Sequence, residues 1–333
     1  MKRLLNIIKW IGITLCILIV IYILGPTPAL PTFADKLPEV IGSPAQIAQR
    51  LANNEQKVVA LKPDNQARII WADTAKQLQT DICFVYLHGF FASYREGMPT
   101  ALNLAKHYKA NLICNRMPGH GIDNKDAFLQ TTPESMWASA QEALVIGAKL
   151  GKRVIVIGTS TGGSLALLLA SKYPKMITAV VTYSPLIDFK EKAIWLLYKP
   201  WGLQIVTLLN GSAYITEPYS PKVRLYWTAE YRVEGAIALA NLIANSMHRQ
   251  TFQKVNLPIF VGAYYKDEAH QDNVVSVKAM QDMFKQLGTE AGKRKFVLFP
   301  KAGHHVIGSD FRAHYTSKVV EETIAFLNIV LDK

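Results

Sequence analysis

The sequence predicts an α/β chain: a mostly parallel sheet with helices on both faces, a helical insertion over one end, and one membrane-length helix in front. Three observations lead there. Short, largely apolar runs alternate with helical stretches from residue 58 onward. A glycine-rich turn carrying a serine follows one of these runs. The chain also opens on an apolar stretch long enough to cross a bilayer. Composition agrees: of 333 residues, 50% are hydrophobic and 19% charged, which excludes a disordered chain. Three cysteines without a C-x-x-C spacing exclude a disulfide framework and a zinc ribbon. The net charge of +12 is spread along the chain rather than gathered in a basic run, which argues against nucleic-acid binding and leaves a membrane-facing surface or plain solubility.

Lys2, Arg3 and Lys9 precede an uncharged run that continues from Trp10 to Leu24. A spanning helix needs about 20 residues; Lys9 can snorkel to the head groups, and Trp10 and Tyr22 suit the two interfaces. The positive flank places the rest of the chain on the exported side, periplasmic or extracellular. A cleaved signal peptide is the competing reading; the run is long for one, and no A-x-A site follows it. Residues 25–31 (GPTPALP) break the helix and read as an extended linker, and 38–54 read as a short helix.

In the body, 58–61 and 67–71 predict a leading antiparallel strand pair about a turn at Pro63, Asp64 and Asn65. Residues 81–87 (DICFVYL), 111–115 (NLICN), 153–157 (RVIVI), 177–183 (ITAVVTY), 258–264 (PIFVGAY) and 295–299 (KFVLF) read as further strands, continuous in apolar character as buried parallel strands are. Helical spacing fills 98–108, 133–150, 164–173, 278–287 and 317–331. Residues of about 187–254 break the rhythm: rich in aromatics and without a clear buried strand, they predict a helical cap over one end of the sheet.

Strand 153–157 leads into Gly158-Thr159-Ser160-Thr161-Gly162 and then an apolar helix. A strand, a sharp glycine turn and a helix lift a serine hydroxyl above the helix N-terminus, with its free amides. Such a hydroxyl needs a base. His304 and His305 follow the last strand; His305, anchored by Val306 and Ile307, is the better placed, and His304 is the alternative. An acid to orient the imidazole belongs after strand 258–264, where Asp272 stands before Val274 and Val275 and is preferred to Asp267 at the strand end. Oxyanion donors are expected from the Thr161 N–H and from the Phe90 N–H, in the loop His88-Gly89-Phe90-Phe91. His88 and His120 are expected to brace loops, Arg95 and Glu96 to form a surface ion pair, with contact to a substrate head group the alternative, and Cys83 and Cys114 to be buried and unbridged.

The His-Gly-Phe loop, Arg116-Met117-Pro118-Gly119-His120-Gly121, the GTSTGG turn, a helical insert, Asp272 before its valines and His305 before Val306 together resemble the α/β-hydrolase superfamily, in particular bacterial carboxylesterases and monoacylglycerol lipases. That resemblance implies an eight-stranded, mostly parallel sheet, no cofactor or metal, and an acyl-enzyme mechanism. Ser160 would be nucleophile, His305 base, Asp272 orienting acid, and Phe90 and Thr161 the oxyanion donors. The implied substrate is a carboxylic ester of lipid or monoglyceride kind. Amide, thioester or lactone hydrolysis, or a non-catalytic membrane-anchored binding protein, are the alternatives. The organisation expected is an anchor at 1–25, a linker with a short helix at 26–56, and a hydrolase domain at 57–333 with the cap at about 187–254.

Overall fold

The computed structural model describes residues 2–332. Met1 and Lys333, the outer bounds expected for anchor and body, lie outside the described residues, as does the Lys2 side chain of the expected positive flank. Helix α1 runs Lys2–Ile23 and packs none of its apolar span into the protein. Helix α2 (Pro44–Gln56) begins where sequence rules place a start: Ser43 caps the Gln46 amide, the Gln46 side chain returns to the Ser43 amide, and Pro44 fills a first-turn position that needs no donor.

Strands β1 (Arg68–Ile70), β2 (Thr80–Leu87) and β3 (Asn111–Cys114) follow, with α3 (Thr100–His107) between the last two. Next come α4 (Pro133–Leu150), β4 (Gly151–Thr159), α5 (Thr161–Lys172) and β5 (Ala179–Tyr183). The insertion holds a 3-10 turn (Lys192–Tyr198), α6 (Gly202–Asn210), β6 (Tyr214–Thr216), α7 (Pro221–Arg224), β7 (Glu230–Arg232), α8 (Val233–Ser246) and α9 (Arg249–Lys254). It is mainly helical, with a two-stranded β6–β7 ribbon that the sequence did not signal. The chain ends with β8 (Ile259–Ala263), α10 (Val277–Gln286), β9 (Arg294–Leu298) and α11 (Thr316–Leu331).

Seven strands form the main sheet in the order β1-β3-β2-β4-β5-β8-β9, with only β1 antiparallel. The expected eighth strand, 58–61, does not form. Ala60 takes a left-handed φ of 55°, and the backbone there bonds the loop after β3 instead, through Asp123 N to Ala60 O at 2.7 Å and Lys62 N to Gly121 O at 2.8 Å. Alternate residues of β2 bury opposite faces. Val85 and Leu87 pack with Trp137 and Leu144 of α4 and Leu165 of α5. Phe84 and Tyr86 pack with Leu104 of α3 and Phe326 and Leu327 of α11. Register aligns Leu87 with Gly158 and Thr159 with Tyr183, so the C-terminal ends of β2, β4 and β5 meet at one edge.

The segment after α1 holds no helix or strand up to α2, and it is strapped to the body. Trp137 Nε1 and Gln141 Nε2 donate to Ala34 O (2.8 and 2.9 Å), Tyr173 Oη to Asp35 O (2.9 Å) and Asn241 Nδ2 to Ala29 O (2.8 Å). Trp201, in the cap, donates its amide to Pro26 O (2.9 Å) and its indole N–H to Ile21 O at the end of α1 (3.0 Å).

Arg116 grips Glu55 of α2 in a two-bond ion pair, Nε to Oε2 at 2.7 Å and Nη2 to Oε1 at 3.0 Å, with each side chain 11% exposed. It also donates to His120 O at 3.2 Å, so it ties α2 to the loop after β3. Breaking a pair this enclosed strands the remaining charge. Arg116→Ala should cost about 2–4 kcal/mol in urea unfolding, and the double variant with Glu55→Ala should lose less than the sum of the two singles.

Candidate active site

Ser160 stands between β4 and α5 with φ 52° and ψ −119°, a conformation an L-residue holds only under constraint. The constraint is visible. Ser160 N donates to Tyr183 O at 3.0 Å, and Ser160 O accepts from Gly163 N at 2.9 Å and Leu186 N at 3.0 Å. A β-carbon at Gly162 would lie 1.9 Å from Leu87 O, and one at Gly158 would lie 2.3 Å from Gly162 O. The turn is therefore pressed against the end of β2 and against itself, and only glycine fits at both positions. Thr161 opens α5, where the first amides have no intrahelical acceptor.

Asp272 and His305 arrive from the loops after β8 and β9 and meet, Nδ1 to Oδ2 at 2.6 Å, with Asp272 wholly buried and His305 6% exposed. The other carboxylate oxygen accepts the amides of Val274 (2.9 Å) and Val275 (3.0 Å). Burial opposes ionisation of Asp272, but the charge and hydrogen bond of His305 and the two amides outweigh it and hold the carboxyl below its ordinary range. Burial likewise opposes protonation of His305; the Asp272 carboxylate outweighs it, with Glu96 adding, so His305 titrates above its ordinary 6.5. The alternatives stand elsewhere. Asp267 bonds its loop neighbour His270 at 2.8 Å in an exposed turn. His304 accepts the Val306 amide at 3.2 Å, and burial, with Arg312 and His305 adding, pushes its pKa down to about 3.

The loop after β2 carries Phe90, 7% exposed, stacked on Phe128 with 4.9 Å between ring centroids. His88 braces this loop: its Nδ1 is 2.8 Å from Gly89 O and its Nε2 accepts the Met117 amide at 3.0 Å, a pairing that suits one neutral tautomer. Burial pushes its pKa down to about 4. His120 sits beside it, Nδ1 at 2.9 Å from Pro118 O. The cap closes over this loop. Thr228 N donates to Phe91 O at 2.7 Å, and Phe91 stacks on Tyr231 at 4.0 Å. Trp227 packs with Ala92 and Val306, which brings the cap against the His305 loop as well. A cleft of about 540 Å³ opens beside Thr228, lined also by Lys62, Ile122, Arg224 and Glu230.

One residue departs from its expected place. Glu96 is no surface partner of Arg95, which pairs with Asp310 at 2.9 Å. Glu96 is 2% exposed, and its Oε2 accepts the Gly89 amide at 2.5 Å. Burial pushes its pKa up to about 7, against the opposing pull of the Gly89 amide, His305, Tyr86 and Arg312. An Arg-Glu dipeptide reads as a solvated pair, and nothing local in the sequence marks the carboxyl as buried. Cys83 and Cys114 are buried and unbridged. Among the described residues no group of three or more His, Cys, Asp or Glu gathers as metal ligands would.

A model of the alpha/beta hydrolase family matches residues 84–313, which spans both loops, the turn at Ser160 and the insertion. A pimeloyl-[acyl-carrier protein] methyl ester esterase from Nitrosospira multiformis is 24% identical over 172 residues; the match spans 51% of this chain and 61% of that protein's length. Among solved structures, that of the metagenome-derived lipolytic enzymes LipS and LipT superimposes with a TM-score of 0.65 at 15% identity, over 80% of this chain and 99% of that one. The monoacylglycerol lipase of Paleococcus ferrophilus gives 0.58 at 12% identity, over 79% and 98%.

Because its pKa rises from 4.5 unfolded to about 7 folded, Glu96 binds its proton more readily in the native state. Its contribution to stability is full below pH 4.5 and is lost as pH rises through about 7. Tyr86, His305, Arg312 and Tyr219 are the ionisable groups that face it. Glu96→Gln removes the burial penalty of the charge. Relative to wild type it should gain on the order of 1–3 kcal/mol between pH 5 and pH 8, read by urea unfolding at both values; an equal difference at the two would contradict the assignment.

Proposed function

The chain belongs to the alpha/beta hydrolase family, and from that premise we propose that it is a membrane-anchored serine hydrolase cleaving carboxylic esters of lipid or monoglyceride kind. The observation that carries this reading is the buried Asp272–His305 pair, 2.6 Å apart, set at the same sheet edge as the strained turn of Ser160. In this mechanism Ser160 Oγ attacks the ester carbonyl while His305 Nε2 takes its proton. Asp272 holds Nδ1–H, which fixes the tautomer and offsets the imidazolium charge. The carbonyl oxygen, now negative, meets the amides of Phe90 and Thr161. His305 then protonates the leaving alcohol, an acyl group stays on Ser160, and water repeats the sequence to release the acid.

The names of the relatives support an ester bond: one is a methyl ester esterase, and others are lipolytic enzymes and a monoacylglycerol lipase. Several features support a lipid. The uncharged run of α1 is long enough to span a bilayer, and Arg3 and Lys9 at its start would keep that end cytoplasmic and export the body. The strap then seats the cap next to the membrane end of α1, through Trp201. Helix α6, which follows Trp201, carries no charge and leaves Leu208 and Leu209 82% and 76% exposed, an apolar face suited to lipid.

A panel of p-nitrophenyl esters from acetate to palmitate tests the reaction. Ser160→Ala should abolish turnover and Asp272→Asn should lower kcat about 10³–10⁴-fold, whereas Asp267→Asn should stay near wild type. Turnover that survives Ser160→Ala would reject the reading. His305 must be neutral to act as base, and its pKa is raised. The acidic limb of kcat/KM should therefore fall above pH 6.5 and move to lower pH in Asp272→Asn, where the stabilising charge is gone.

A further inference from the structure

Glu96 lies beside Ser160, and the hydrolytic cycle proposed above gives it nothing to do. Its surroundings are built, not incidental. A β-carbon on Gly89 would stand 2.8 and 3.0 Å from the two carboxylate oxygens of Glu96 and 3.0 Å from Ser160 Cβ, so only the bare glycine separates the carboxyl group from the nucleophile's side chain. On one side Glu96 Oε2 accepts the amide of Gly89, the residue before Phe90. On the other, Tyr86 Oη lies 3.3 Å from Glu96 Oε2 and 3.1 Å from Thr159 Oγ1, the residue before Ser160. With one proton, the tyrosine can donate to Glu96 and accept from the threonine hydroxyl, serving both at once. Gly97 completes the arrangement, because a β-carbon there would strike the Tyr86 ring at 2.2 Å.

This chain of contacts, Gly89 to Glu96 to Tyr86 to Thr159, runs beneath the sheet edge. It joins the loop that presents the Phe90 amide to the strand end that presents Ser160 and Thr161. Otherwise the outer part of the Phe90 loop is held by the cap, through Thr228 on Phe91 O. We propose that Glu96 is a positioning residue: its carboxyl group fixes the distance between the two oxyanion donors from inside the body, independently of the cap. Amide donors stabilise a developing oxyanion only when aimed at it, and errors well under an ångström are costly. Such a residue acts on the transition state more than on the bound substrate, so its loss should appear in kcat rather than KM. The proposal rests on the serine-hydrolase reading.

The experiment uses the full-length protein in detergent, with p-nitrophenyl butyrate for turnover and a fluorophosphonate for labelling. Glu96→Ala should lower kcat about 10–100-fold while KM moves less than about 3-fold, and labelling should slow in parallel. Glu96→Gln keeps an acceptor for the Gly89 amide and a polar partner for Tyr86, and should recover kcat to within about 5-fold of wild type. Tyr86→Phe, which removes the hydroxyl and keeps the ring, should fall between these. An unchanged kcat in Glu96→Ala overturns the proposal. So does a Glu96→Gln variant as slow as Glu96→Ala, or a loss confined to KM. If Glu96→Ala does not fold, Tyr86→Phe decides: full activity in a folded protein overturns the idea. A wild type that labels, beside variants that label equally fast, rejects the role of Glu96 alone. A wild type that neither labels nor turns over ester rejects the hydrolase reading, and this proposal with it.

Discussion

The rest of the site depends on one strained residue being held in place: Ser160 at φ 52°. A left-handed conformation costs a non-glycine residue on the order of 1–3 kcal/mol. It persists because the neighbouring backbone leaves no alternative. Its amide is committed to Tyr183 at the end of β5, and its carbonyl to Gly163 and Leu186. Gly162 lies against Leu87 O at the end of β2 with no room for a side chain. Three strand ends thus close on the turn, and their register decides where the hydroxyl stands. A slip of one residue in β2 against β4 would move Leu87 away from Gly158 and release the clamp.

The electrostatics follow from the same crowding. His88 and His305 are both buried, yet they titrate in opposite directions according to what each faces. His88 meets a carbonyl and an amide, which suit a neutral ring, and it is pushed down to about 4. His305 is as deeply enclosed but meets a carboxylate, and it is raised. The carboxylate is tolerable there because both of its oxygens are hydrogen-bonded: two amides on one and the imidazole on the other. Glu96 has one amide and one hydroxyl for the same burial, and so its proton leaves only near neutrality.

Much of this was legible in the sequence, and the failures share a cause. Continuous apolar runs gave β2, β4, β5 and β8 because parallel strands are buried on both faces. The turn at Ser160 was legible because its glycines are dictated by backbone contacts a few residues away. Asp272 was favoured for the valines behind it. The structure brings Asp272 against His305; of the two valines Val275 is buried in the core and Val274 is 44% exposed, and the amides of both bond the carboxylate. Residues 58–61 looked like a strand from their β-branched, apolar character alone. Their backbone partners, at 121 and 123, lie some sixty positions on and override that preference. Glu96 fails in the same manner. Its hydrogen-bond partners are Tyr86 and Gly89, and the charges of Arg312 and His305 that act on it lie far along the chain.

The linker shows how an irregular segment is held. Proline and glycine remove donors and regular structure, so residues 25–31 read as an extended linker. What such a segment keeps is its carbonyls, and those are what the body engages: Ala29, Ala34 and Asp35 each accept from a side chain more than 100 residues away. Two of the residues that hold this segment belong to the cap: the Asn241 side chain donates to Ala29 O and the Trp201 amide to Pro26 O. The same insertion is bound on its other side to Phe91, through Thr228. The cap is therefore gripped from two directions, by the segment leading to α1 and by the loop that carries Phe90. Helix α1, the insertion and the Phe90 loop are joined by hydrogen bonds rather than by chain length alone, so the orientation of the Phe90 loop relative to α1 is a property of the fold.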